Sequence, residues 1–132
     1  MIVDASALIA ILRNEKDALT YAQAIEATSR RRMSAINFVE AAVIIDAQKD
    51  PIASRCFDDF CRESELVIEP VTEKQAQIAR EAYRDFGKNS GHPAKLNFGD
   101  CFAYALAKTM SEPLLFKGND FTHTDVRTAL KG

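Results

Sequence analysis

The sequence predicts an α/β fold: a three-layer α/β/α sandwich around a mostly parallel sheet of about four or five strands. Three observations predict it. Short apolar runs alternate with longer helical segments along the chain. Such alternation implies a parallel sheet covered on both faces. Recognisable helix starts separate the runs, and the 132 residues hold no repeat, low-complexity tract or linker, so one domain spans 1–132.

Residues 1–4 read as a short buried strand, and a helix follows to about Leu12. "EKDALTYAQAIEAT" reads as a second helix, and "RRRMSA" as a short extended segment. "SAINFVEAAVIIDAQ" is strongly helical, with Ser34 placed to cap it. Asp50 followed by Pro51 is a cap-then-proline start for the next helix. "LVIEPV" reads as a strand that stops at Pro70, and Thr72 to Gln75 as a capping box opening a helix to about Phe86. Residues 87–97 form a loop, "FGDCFAYALAKTM" a further helix, and "PLLFKGNDF" a last apolar strand followed by a turn.

With 47% hydrophobic and 27% charged residues, the chain is of ordinary globular composition, which excludes disorder. The formal net charge of −2 lacks the basic excess common in nucleic-acid binders, so any such contact is a local patch or runs through a metal. Cys56, Cys61 and Cys101 contain no CxxC pair. Cys56 and Cys61 are expected in or near the core, and a reduced cytoplasmic setting is expected. No signal peptide or membrane-length apolar stretch is visible.

In parallel α/β sheets ligands bind beyond the carboxyl ends of the strands. Asp4 ends the first strand, where it either caps the helix that follows or holds a ligand at the mouth of the sheet, and "KGND" ends the last. On the central helix Ile36, Glu40, Val43, Ile44 and Ala47 share one stripe, and Glu40 alone is polar there. A carboxylate so placed faces the body or the edge of a cleft and needs a partner, either a neighbour such as Asn37 or an arginine, or a bound cation. Asp100 fits a capping box with Asn97, yet it also opens a mostly apolar helix at the ligand edge. Asp120 and Asn119 suit a turn and equally the end of the last strand. Brought together, Asp4, Glu40, Asp100 and Asp120 would put about four negative charges in one cleft, which cannot all stay ionised unaided. A hard divalent cation, Mg²⁺ or Mn²⁺, resolves that with oxygen ligands, activates water and offsets charge on a phosphoryl oxygen. His92 and His123 are lone loop histidines. Ser6 and Asn37 stand where each can orient a carboxylate or a water, or serve a local backbone bond. Lys95 and Lys117 flank the acids in sequence and are the basic candidates for contact with a nucleic acid, should the chain handle one, ahead of Arg30, Arg31, Arg32 and Lys88.

"MIVDASALIAIL", "SAINFVEAAVII", "LNFGDCFAYALAK" and "PLLFKGNDF", in this order, resemble the PIN-domain ribonucleases. More narrowly they resemble VapC-type toxins of bacterial type II toxin–antitoxin pairs, over essentially the whole chain. The resemblance implies a Mg²⁺-dependent endoribonuclease, with Mn²⁺ as an alternative metal. Asp4 and Asp100 would be principal ligands, Glu40 would complete the set directly or through water, and Asp120 would be the fourth acid, with Asn119 as its alternate. It also implies an RNA substrate (tRNA or rRNA), a VapB-type antitoxin and a homodimer. Two other readings stay open: a non-catalytic PIN-like module, and an aspartate-based phosphatase. The latter wants a second aspartate where this chain has Ser6.

Overall fold

The computed structural model describes residues 1–130. Its elements, in chain order, are β1 (Ile2–Val3), α1 (Ala5–Leu12), α2 (Ala18–Ala27), β2 (Arg32–Ser34), α3 (Ala35–Asp46), α4 (Pro51–Glu63), β3 (Val67–Glu69), α5 (Glu73–Phe86), α6 (Phe98–Met110) and β4 (Leu114–Leu115). A 3₁₀ turn, Asp120–His123, follows. The four strands are all parallel, in the order β3-β2-β1-β4. The expected α/β class and parallel sheet are therefore present.

Strand alternation sets the layers. Ile2 and Leu114 point into one core with α5 and α6. Val3, Met33 and Leu115 point into the other, with residues of α1 to α4. The strand order reverses between β1 and β4, so a crevice opens at their carboxyl ends.

Local capping chemistry matches the expected starts. Ser34, Asp50 and Thr72 each accept a hydrogen bond from a backbone N–H of the helix that follows. Thr72 takes the N–H of Gln75 at 3.1 Å, the forward half of the expected box.

Four details differ from the sequence reading. The second helix starts at Ala18 and leaves Glu15 and Asp17 in the preceding loop. β3 is an edge strand with Val67 half exposed. Cys56 is exposed; Cys61 is half-buried and Cys101 is the buried thiol. The core face of α3 is Asn37, Ala41 and Ile45, whereas Val43 is 59% exposed. Because α3 is apolar on most of its circumference, periodicity alone could not separate its buried face from an exposed apolar one.

The arginine run serves the fold. Arg31 donates to the carbonyls of Ile25, Glu26 and Thr28 at the end of α2, and to Ser64 at the end of α4. These are carbonyls a helix terminus leaves without partners. Arg32 pairs with Glu69 and Glu112 across the sheet. Arg31→Met is expected to cost about 2 kcal/mol, lowering the melting temperature by roughly 8 °C. Arg30→Met, at an exposed neighbour, should shift it by less than about 0.5 kcal/mol. Equal melting of the two variants would contradict the capping role.

Candidate active site

Asp4 is the innermost acid, 3% exposed at the end of β1. It caps a helix with one oxygen and leaves the other for a second role. Its Oδ2 caps α1, accepting from the Ser6 N–H at 3.0 Å and the Ser6 hydroxyl at 2.5 Å. Its Oδ1 is buried and accepts no hydrogen bond. Burial pushes the Asp4 carboxyl up, and the charge of Asp120 adds to the rise against the Ser6 bonds. Ser6 also accepts from the Lys117 N–H at 3.0 Å, which ties α1 to the segment after β4.

Asp100 likewise has two roles. The expected capping box is complete: the Asp100 N–H donates to Asn97 Oδ1 at 2.9 Å, and the Asn97 N–H donates to Asp100 Oδ2 at 3.0 Å. The box nevertheless does not settle the carboxylate. Burial raises it from its ordinary 3.8 to about 7, and the charges of Asp4, Asp120 and Glu40 add to that.

Glu40 is half-buried on the flank of α3. Burial raises its carboxyl, and Asp4 adds to the rise. The Asn37 amide donates to Glu40 Oε1 at 3.3 Å and to the Gly99 carbonyl at 2.9 Å. Asp120 is exposed at the start of the 3₁₀ turn, and Phe121 beside it is buried against Phe116, which anchors the turn. Gly118, at φ +101°, supplies the left-handed bend that leads the chain there. Asn119 caps the turn through its carbonyl, which accepts from Thr122; its side chain makes no capping bond.

Thus the charges of Asp4, Asp120 and Glu40 bear on Asp100, that of Asp120 on Asp4 and that of Asp4 on Glu40, at the carboxyl edge of β1 and β4. Among the described residues no three His, Cys, Asp or Glu side chains already form a metal cage. A Mg²⁺ ion that retains several waters needs only one or two carboxylates directly. The donor set is all oxygen, and the unpartnered Asp4 Oδ1 is the kind of buried acceptor a hard cation satisfies; the residues fit such an ion. His92 stands apart from this role: its Nδ1 accepts from the Ala94 N–H, with its ring edge-on to Phe86.

The two lysines differ. Lys95 is exposed and in no ion pair among the described residues. Lys117, the other candidate for RNA contact, is held by Glu15 at 2.5 Å and Asp17 at 3.1 Å. It braces the segment after β4 against the loop between α1 and α2. The sequence reading missed this because Glu15 and Asp17 were assigned to a helix. It also missed Gly99, which abuts Glu40.

A helix-rich α/β fold on a four-stranded parallel sheet of this kind matches the PIN domain. The PIN-domain family model matches residues 1–127, and the chain belongs to that family. Among its relatives are the VapC ribonuclease Mb0625 of Mycobacterium bovis and ribonuclease VapC28 of Mycobacterium tuberculosis. Each is 58% identical over 130 residues, covering 98% of both chains. Ribonuclease VapC42 of M. tuberculosis is 47% identical, again over 98% of each. Among solved structures, M. tuberculosis VapC20, a sarcin–ricin loop cleaving toxin, superposes with TM-score 0.76 at 14% identity over 95% of each chain. A toxin–antitoxin complex from Klebsiella pneumoniae superposes with TM-score 0.71 at 20% identity over 98% of each.

Proposed function

We propose that the chain is a divalent-metal-dependent endoribonuclease toxin of the VapC type. The observation that carries this reading is the buried, unpartnered Asp4 Oδ1, with the charges of Asp4, Asp120 and Glu40 all bearing on Asp100. The ribonuclease names of relatives 58% identical over nearly the full chain support RNA as the substrate class, with a tRNA or rRNA site carried over from the family resemblance.

Asp4 and Asp100 would hold Mg²⁺ or Mn²⁺, with Glu40 and Asp120 completing the set. When bound, the cation supplies charge to offset a phosphoryl oxygen and to acidify water. The chain's own residues do the rest. Ser6 fixes the Asp4 carboxylate through two hydrogen bonds, and Asn37 fixes that of Glu40. Carboxylates are acceptors only, so they orient an attacking water by taking its hydrogen bonds. Glu40 Oε2 receives no hydrogen bond from the described residues and is the oxygen suited to that task. Lys95, exposed beside Asn97, would contact the RNA backbone.

A VapB-type antitoxin partner is supported by the toxin–antitoxin neighbour and the VapC relatives. A cleft with this charge favours an antitoxin that presents a basic side chain to it. Exposed Val39 and Val43 on α3 and Phe98 on α6, 69% exposed, support a homodimer. No helix among the described residues is long and apolar enough to cross a membrane, and a cytoplasmic setting accords with the three unpaired thiols.

The test is cleavage of RNA by the purified chain. Cutting is expected with Mg²⁺ or Mn²⁺, to stop in excess EDTA, and to return when Mn²⁺ is restored. Undiminished cutting in EDTA would overturn the metal-dependent reading, and no cutting of any RNA would favour the binding-module reading.

A further inference from the structure

Gly99 lies at the second position of α6, between Phe98 and Asp100. Glycine weakens a helix relative to alanine, so its presence there calls for a reason. Backbone freedom is not the reason: Gly91 and Gly118 have positive φ, and Gly99 does not. Space is. A Cβ on Gly99 would stand 2.7 Å from both Cδ and Oε1 of Glu40, and would overlap Oε2 more closely still. The carboxylate of Glu40 therefore occupies the volume a side chain at Gly99 would fill. The same junction carries a buried amide. Asn37, fully buried, donates to the Gly99 carbonyl and to Glu40 Oε1. One amide thus fastens α3 to the first turn of α6 and aims the glutamate along it, one residue from Asp100.

We infer that Gly99 is a positioning residue: a notch in α6 that seats the Glu40 carboxylate within the acidic site, with Asn37 as its latch. The inference rests on the reading of Glu40 as a member of a metal-binding, RNA-cleaving site. Its structural part is separable from that reading. The atoms a methyl would displace are the far end of a flexible side chain, so the fold can absorb Gly99→Ala by turning Glu40 away. What is lost is the place of the carboxylate.

Gly99→Ala is expected to weaken Mn²⁺ binding and RNA cleavage about tenfold or more, close to the effect of Glu40→Ala. In a Glu40→Ala background the same change should do nothing further, because the methyl enters vacated space. Equal losses in the two backgrounds would overturn the notch. A readout independent of activity is the side-chain amide of Asn37 by NMR. Its signals should shift in Gly99→Ala; unchanged signals together with wild-type Mn²⁺ affinity would also overturn it. Should Gly99→Ala fail to fold, the double variant with Glu40→Ala must fold, since the overlapping group is gone; a double variant that is also unfolded refutes the proposal. If the wild-type chain cuts no RNA, the ribonuclease reading fails, while the amide signals and the Mn²⁺ comparison still decide the notch.

Discussion

Asp4→Asn should abolish RNA cleavage, by at least about a hundredfold, while raising the melting temperature of the metal-free protein. The two effects have one cause. The Asp4 carboxylate is buried, and its Oδ1 has no hydrogen-bond donor. Water is excluded there and other acids are close, so the charge is held against both desolvation and repulsion. Asparagine is nearly isosteric. Its carbonyl can still accept from the Ser6 N–H and hydroxyl, so the cap on α1 survives. The amide also lacks the charge that attracts a divalent cation, so Mn²⁺ binding should fall with cleavage. Thermal melting in EDTA, calorimetric Mn²⁺ titration and a cleavage assay together check this. Wild-type cleavage would remove Asp4 from the site. Lost cleavage with a lower melting temperature would make its role structural.

Without divalent metal, stability should fall as pH rises from about 5 to about 8, and saturating Mg²⁺ should shrink that fall. The sign follows from Asp100. Its carboxyl is raised from 3.8 to about 7 in the folded chain. Between those values the native state binds a proton that the unfolded state has lost. The stability this contributes is present below about pH 4 and is lost as pH climbs through about 7. Glu40 and Asp4 are raised as well and act in the same direction, as members of one coupled group. The cost is on the order of 2–4 kcal/mol, a drop in melting temperature of roughly 10 °C. A bound cation reverses the preference by favouring the ionised carboxylates. Asp100→Asn should flatten the metal-free profile. A metal-free melting temperature that is constant or rises over this range would sink the account, as would an Asp100→Asn variant with the wild-type slope.

Capping signals were legible because they are local. Ser34, Asp50 with Pro51, Thr72 and the Asn97–Asp100 box each involve residues within one helical turn, and all four cap their helices. Strand–helix alternation was legible for the same reason, since β1, β3 and β4 lie in short apolar runs next to such signals. Alternatives that the sequence left open as rivals turned out to coexist. Asp4 and Asp100 each give one oxygen to a helix cap, while Asp4 still feels the charge of Asp120 and Asp100 that of Asp4, Asp120 and Glu40.

Other features depended on what the chain meets at a distance. The apolar residues of α3 look alike in sequence, and only packing shows Ala41 and Ile45 buried and Val43 exposed. Lys117 carries the same charge wherever it lies; its pairing with Glu15 and Asp17 arises because β4 adjoins β1 in the sheet. Gly99 could be seen as a glycine in a helix, but not that Glu40 fills its missing side chain. By itself, then, the sequence determined the capped starts of α3 to α6, the α/β class and which acids were available, because periodicity, caps and residue chemistry act over a few neighbouring positions. Tertiary structure alone decided which face of α3 is core, which lysine is engaged and what the glycine makes room for. Those are outcomes of close packing between segments distant in the chain, and packing has no counterpart in local spacing.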